Sequence, residues 1–346
     1  MNIRKITCLI LISAVLLTGS SKVSDTSFSS EVTQSTTSET SETIPELYEY
    51  NPHPYSTIVA PEIPQDHWDS LYNLVDALRE GKDSFDCSSA EAYEWCTNLR
   101  TLSNLVPAAG AKITGESNDG TTPFENGKGR IYYNMPVEEY VAREKAFEKA
   151  VEDVLNSILE KDDNEFEKCL KLYDYMESNY VYETEGRGDS GPDDSYVYYA
   201  LTNHTGQCID LAGLYAFLLL EADVQAASIA CFDSTDHQWV YVLVNGKGYH
   251  IDPTWSLKDS RETEYLYLDY FMMTDEIRTN TSCNVVDLAV ALLPQFWLKE
   301  SSVTMPADDG SLYAGDYSVF VSLDEENKTL TYLDLISDEE KTLKYS

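Results

Sequence analysis

The chain has 346 residues, room for two or three domains, and its 42% hydrophobic content is incompatible with global disorder. Sixty acidic against 24 basic side chains give a net charge of −36. Such a surface repels phosphate backbones and anionic lipid, which argues against a nucleic-acid partner.

The chain opens with Arg4 and Lys5, then an apolar stretch from Ile6 to Leu17, then small residues at Thr18-Gly19-Ser20. That order predicts a signal peptide over residues 1–20, too short for a membrane span. The segment also resembles a bacterial lipoprotein signal, but Ser20 stands where the lipid-bearing cysteine would be and offers no thiol. An exported protein is expected, extracellular or associated with the cell surface. Residues 21–47 are dominated by Ser and Thr with scattered acids and read as a disordered tether.

Residues 48–135 form an accessory region that reads as mainly helical. Trp68, Leu71, Leu74, Val75 and Leu78 recur at helical spacing over Asp66–Glu80 and stop at Gly81. A second helix is expected over Ser89–Val106, ended by Pro107. The Gly-, Asn- and Thr-rich stretch 115–129 reads as loop, and 130–135 as a strand. Residues 136–282 form the expected core. Pro136 opens a helix to about Lys161, and Asp162/Asp163 cap another running to Asn179. Residues 186–194 read as loop, and the Arg187-Gly188-Asp189 triplet there is too short to establish adhesion. Residues 265–274 read as strand and turn. Residues 283–346 look mainly β, with a hairpin around Asp324–Lys328.

Cys208 opens a segment that is apolar almost all round from Leu211 to Leu220, the pattern of a helix buried on nearly every side. A cysteine at such a helix start meets unsatisfied amides and the positive end of the dipole, which favour a thiolate. Gly206 permits the turn that leads into it. Further on, Asn245-Gly246 between two β-rich runs is a strong hairpin signal. With these as the loop residues, Val244 faces Lys247 and paired positions sum to 491. Asp252 then lies opposite Trp239, and His237 sits two residues along on the same face, within reach of the carboxylate. A shift by one residue would separate the two. A carboxylate beside a histidine fixes the ring tautomer and supports imidazolium, so the other ring nitrogen can take a proton from a thiol. His250, opposite Tyr241, is expected on the face away from this pair as a structural residue. His204 lies in a polar loop with no carboxylate placed beside it.

The remaining cysteines, Cys87, Cys96, Cys169, Cys231 and Cys283, show no CxxC and no ligand spacing. They read as mostly buried, reduced thiols, and no metal or cofactor is expected.

Gly206-Gln207-Cys208 with its apolar helix, followed by HQWVYVLVNGKGYHIDPTW from His237 to Trp255, resembles the transglutaminase-like superfamily over about residues 165–276. The resemblance implies an α+β fold with a papain-like core, between the mainly helical N-terminal region and a C-terminal β extension. It implies acyl transfer on peptide or protein amides, with Cys208 as nucleophile, His237 as base and then acid, and Asp252 as orienting group. The Cys208 N–H would hold the oxyanion, with Gln207, Tyr198 and Tyr199 as candidates for a second donor. Trp239 and Trp255 would wall the site or pack the core. Hydrolysis and transfer to an amine both remain open at this point, as does a catalytically silent surface scaffold.

Overall fold

The computed structural model describes residues 47–117, 121–184, 196–231, 237–260, 265–281, 285, 288–291 and 304–345. The expected signal peptide, nearly all of the tether, the Arg-Gly-Asp triplet and Cys283 lie outside these residues.

The first helix, α1 (Gln65–Arg79), buries Trp68, Leu71, Leu74, Val75 and Leu78, the stripe read from the sequence. After β1 (Ser84–Asp86), the expected single helix over 89–106 is two: α2 (Ala90–Cys96) and α3 (Leu99–Leu105). Asn98 breaks the run because its side chain caps α3 through the Arg100 N–H. Short strands β2 (Ile113–Thr114), β3 (Phe124–Glu125), β4 (Lys128–Arg130) and β5 (Tyr132–Tyr133) follow. Part of the stretch expected as loop is therefore a hairpin. It turns at Asn126-Gly127, both with positive φ.

Helix α4 (Val137–Ile158) buries Tyr140, Glu144, Phe147, Val151 and Leu155 along one stripe. Helix α5 (Glu165–Asn179) is capped by Asn164 and Glu167 in a capping box, not by the expected Asp162/Asp163. Asp163 instead binds Lys171 and the Glu160 N–H. Strand β6 (Val181–Tyr182), helix α6 (Tyr196–Asn203) and strand β7 (Thr205–Gly206) lead to α7 (Cys208–Glu221). From Asp210 to Glu221 every residue of α7 is buried.

Strands β8 (Ala226–Cys231), β9 (His237–Val244) and β10 (Lys247–Ile251), then helices α8 (Pro253–Ser260) and α9 (Asp275–Asn280) and strand β11 (Ala289–Val290), complete the central part. The four strands form one antiparallel sheet in the order β10-β9-β8-β11. The hairpin register is the one read from Asn245-Gly246: Val244 pairs Lys247 and His250 pairs Tyr241. Residues 265–274, expected as strand and turn, hold the turn, at 269–270, but in place of a strand only isolated bridges at Tyr267 and Met273.

Both faces of this sheet are buried, which its period-2 alternation makes visible. Val240, Val242 and Val244 join the cluster built by α5 and α7, while Trp239 and Tyr241 join that of α1, α2 and α3. The N-terminal region thus packs on the sheet's second face, and residues 45–346 form one compact unit. An extended strap before α1 is tied down by side chains, with Tyr48 N–H donating to Asn156, Asn51 N–H to Glu221, and the Ser56 hydroxyl to the Ala226 carbonyl. The C-terminal strands β12 (Ser318–Asp324), β13 (Thr329–Asp334) and β14 (Glu339–Lys344) form a separate meander. It is anchored by Tyr345, which stacks on Phe166 and donates to Glu167. The fold is α+β. Among the described residues no helix is long and apolar enough to cross a membrane.

Two buried acids are pushed well above the ordinary carboxylate range. Burial pushes Glu144 up to about 7, opposed by a hydrogen bond from Tyr140. Burial pushes Glu221 up to about 8, opposed by the Asn51 N–H, and among the described residues one of its oxygens has no hydrogen-bond partner. Each favours the folded state most below its ordinary value of 4.5 and loses that advantage as pH rises through its folded value. The thermal midpoint is expected to be highest in mild acid and to fall toward pH 8. Glu221→Gln should flatten that fall in scanning fluorimetry, and an unchanged slope would show that Glu221 does not carry it.

Candidate active site

Cys208 is the first residue of α7, and the chain arrives there through the parallel pair β6–β7, with Tyr182 beside Gly206. Gly206 is required for space rather than for an unusual φ. A Cβ there would lie 2.6 Å from Asp210 Cβ, and Asp210 must fold back to accept the Gln207 N–H at 2.9 Å. The glycine and the helix-capping acid are one device that sets the angle at which Cys208 enters the helix. Among the described cysteines all are free thiols; Cys208 is partly exposed and Cys87, Cys96, Cys169 and Cys231 are buried.

His237 begins β9, and its Nε2 lies 2.7 Å from Asp252 Oδ2. Cys208 lies close enough to the same ring to act on its charge. With Nε2 engaged by the carboxylate, Nδ1 is the nitrogen left for sulfur. The structure therefore brings Cys208, His237 and Asp252 together, on a helix start, a strand start and the residue after a strand. Burial would hold the imidazole neutral, but the charge and hydrogen bond of Asp252, with the Cys208 interaction, outweigh it and raise His237 to about 9.

Asp252 has no exposed surface, and each of its oxygens has work. Oδ1 accepts the N–H groups of Thr254 and Trp255 at 3.0 and 3.1 Å, so the acid is the N-cap of α8. Oδ2 faces both His237 and Arg278, whose Nη2 lies at 2.9 Å. Burial alone would raise the carboxyl, but the two cations hold it below the usual carboxylate range.

Trp255 stacks on the His237 ring with centroids 4.7 Å apart, and Trp239 lies parallel to it at 6.2 Å. A cleft of about 170 Å³ opens here, lined by Tyr182, His237, Thr254 and Trp255. A larger hollow of about 870 Å³ lies among Tyr93, Glu94, Phe124 and their neighbours in the N-terminal region and shares no residue with the cleft. The site follows the chemistry, not the volume.

Some expectations shift. Of the second-donor candidates, Tyr198 packs against Phe147 under the Arg143 guanidinium and Tyr199 donates to Glu183. His204 follows α6 with positive φ, its ring against Tyr180. His250 does not lie on the far face of the hairpin. Residues 250 and 252 are two apart on one strand path, so they share a face, and His250 meets Trp239 there. His250 accepts the Trp239 indole N–H on Nδ1 and meets Asp275 through Nε2, fully buried. Arg278 carries no sequence signal for its role. Thr274 and the acids after it mark a helix start, and Asp252-Pro253 marks that of α8, but neither names a partner.

Residues 152–253 match the family model of the transglutaminase-like superfamily, a span that contains Cys208, His237 and Asp252. No curated protein matches the chain. Among solved structures, a "putative cysteine protease" of Cytophaga hutchinsonii is similar at 21% identity and a TM-score of 0.21, covering 25% of this chain and 30% of that one. A "putative protease" of Parabacteroides distasonis is similar at 16% identity and a TM-score of 0.24, covering 40% of this chain and 31% of that one. The chain thus spans under a third of either protein, and scores this low carry no argument about the whole.

Because Asp252 serves Arg278 and α8 as well as His237, Asp252→Asn should do more than disorient an imidazole. It leaves a buried guanidinium without its counter-charge, a change that costs about 3 kcal/mol or more. Urea unfolding should register that loss in a chain that still folds. Full retention of stability would mean that Arg278 does not depend on the carboxylate.

Proposed function

We propose that this protein is a thiol enzyme that transfers the acyl group of a peptide or protein amide through a thioester on Cys208. The observation that carries this reading is the His237 ring bound at 2.7 Å to the Asp252 carboxylate, with Cys208 acting on the same ring from the start of a buried helix. The match to the transglutaminase-like model over the same residues supports it.

In this mechanism His237 Nδ1 takes the thiol proton and Cys208 Sγ attacks the amide carbonyl carbon. The oxyanion forms beside the Cys208 N–H, one of the amides that a helix start leaves without an intrahelical partner. His237 gives its proton to the departing nitrogen as the C–N bond breaks, leaving the thioester. Water, deprotonated by His237, then releases the acid, and an amine in its place would form a new amide. Hydrolysis is the favoured outcome because water is always present. Asp252 keeps its charge throughout and stabilises the imidazolium. Trp255, stacked on that ring, shields the His237–Asp252 bond from water. The leader read at residues 1–20 supports a location outside the cell or at its surface.

The test uses iodoacetamide on the full chain, with mass spectrometry to find the label. Burial pushes the thiols of Cys87, Cys96 and Cys169 up, so Cys208 should react first on accessibility alone. The decisive arm is His237→Ala, which should slow labelling of Cys208 at pH 6–7 by roughly tenfold or more. The difference should shrink above about pH 9, where His237 itself loses its proton. Equal rates in both chains at pH 6 would sink the thiol–imidazole pair and leave a silent scaffold as the better reading. Peptide-library turnover with and without added amine then separates hydrolysis from transfer.

A further inference from the structure

Arg278 has no exposed surface, yet it lies on α9, outside the segment that supplies Cys208, His237 and Asp252. Its guanidinium carbon sits 4.3 Å from the Trp239 ring centre and 4.4 Å from that of Trp255. Its Nη2 is 2.9 Å from Asp252 Oδ2, the oxygen that also faces His237, as an ion pair outside hydrogen-bond alignment. Among the described residues, Nη1 reaches only the Thr281 hydroxyl, at 3.5 Å, and Nε has no partner. A side chain this costly to bury is held here by charge and by two indole faces, not by a hydrogen-bond network.

Its placement is itself built. Thr274 caps α9, and Asp275 in the first turn binds His250 at 2.8 Å and the Ala307 N–H at 3.1 Å. His250 accepts the Trp239 indole N–H at 3.0 Å. A second histidine–aspartate pair thus fixes both the helix that carries Arg278 and one of the rings that covers it. Two elements, β9 and α9, converge on one carboxylate oxygen.

We propose that Arg278 is the positioning residue of this site: it shares Asp252 Oδ2 with His237, holds the carboxylate in place, and limits how tightly Asp252 grips the imidazolium proton. The proposal rests on the role given to His237 above. Two cations on one carboxylate compete. Without Arg278 the whole charge of Asp252 would fall on His237, which would then keep its proton to higher pH and return it less readily to a leaving amine. The groups that face this pair are few. Arg278 and His237 act on Asp252, Cys208 acts on His237, the phenols Tyr173 and Tyr182 lie within the field of Asp252, Tyr182 within that of Cys208 too, and the Trp239 and Trp255 rings are neutral.

The experiment is an NMR titration of the His237 ring in the full-length chain, with the signal assigned by His237→Gln. Arg278→Met, which suits the space between two indoles, and Arg278→Gln should raise the His237 midpoint by about one pH unit. Arg278→Lys restores a cation between the rings and should bring the midpoint back toward the wild-type value. A purely structural arginine predicts lower thermal stability in all three variants with the midpoint unmoved, and that result overturns the proposal. Should the neutral variants not fold, the wild-type chain still decides. The Arg278 Nε–H signal should shift with the His237 midpoint, and a signal flat through that range overturns the proposal equally. None of these readouts needs turnover. A midpoint that moves as stated, in a chain whose Cys208 labelling ignores His237, upholds this inference and removes the proposed function instead.

Discussion

The buried carboxylate of Asp252 is the constraint on which the rest of the site depends. One oxygen caps α8 and the other meets two cations, so a single side chain joins a helix start, a strand start and a second helix. A charge with no exposed surface survives only when every lone pair is used. That requirement explains why Trp239, Trp255 and Arg278 surround the acid, since the aromatic faces exclude water while leaving the charges paired. Removing any one of these groups would leave an unpaired charge or admit solvent.

The sheet that carries His237 is buried on both faces, and this gives the N-terminal region a physical role. Its helices cover Trp239 and Tyr241, the face that also holds His250 and the ring over Arg278. Uncovered, that face would expose the edge of the site to water and weaken each charge interaction in it. The region expected as an accessory is, in packing terms, the second wall of the sheet. The C-terminal meander attaches elsewhere, at the N-terminus of α5, through Tyr345 and Lys328 on Glu167.

The strong acidity of the chain is also not uniform in its consequences. Most carboxylates are solvated and cost little, but Glu144 and Glu221 sit in buried stripes, where burial outweighs every partner. Glu221 receives the strap that precedes α1, so the group whose burial is least compensated also fastens the start of the described chain. Asp252 shows the opposite outcome at the same depth, because two cations touch its carboxylate directly. Depth alone does not set the protonation of a buried acid; the neighbours do.

The local patterns were legible because they are written in neighbours along the chain. Asn245-Gly246 fixed the hairpin register, and with it the approach of His237 to Asp252, since a two-residue turn leaves no freedom to slip. The apolar run after Cys208 announced a buried helix, and the stripes of α1 and α4 announced theirs. Within such patterns a single cap could still mislead, as Asn98 did by dividing one expected helix into two, and Asn164 by displacing Asp162/Asp163. What only the tertiary structure decided is which distant groups share a charge. Arg278 reaches Asp252 across 26 positions, and His250 meets Asp275 across 25. The N-terminal helices find the sheet across more than a hundred residues. Periodicity reports which face of an element is apolar, because that depends on residues one turn or one pleat apart. It carries no information about which other element will cover that face, because such pairings depend on chain paths that no local spacing records.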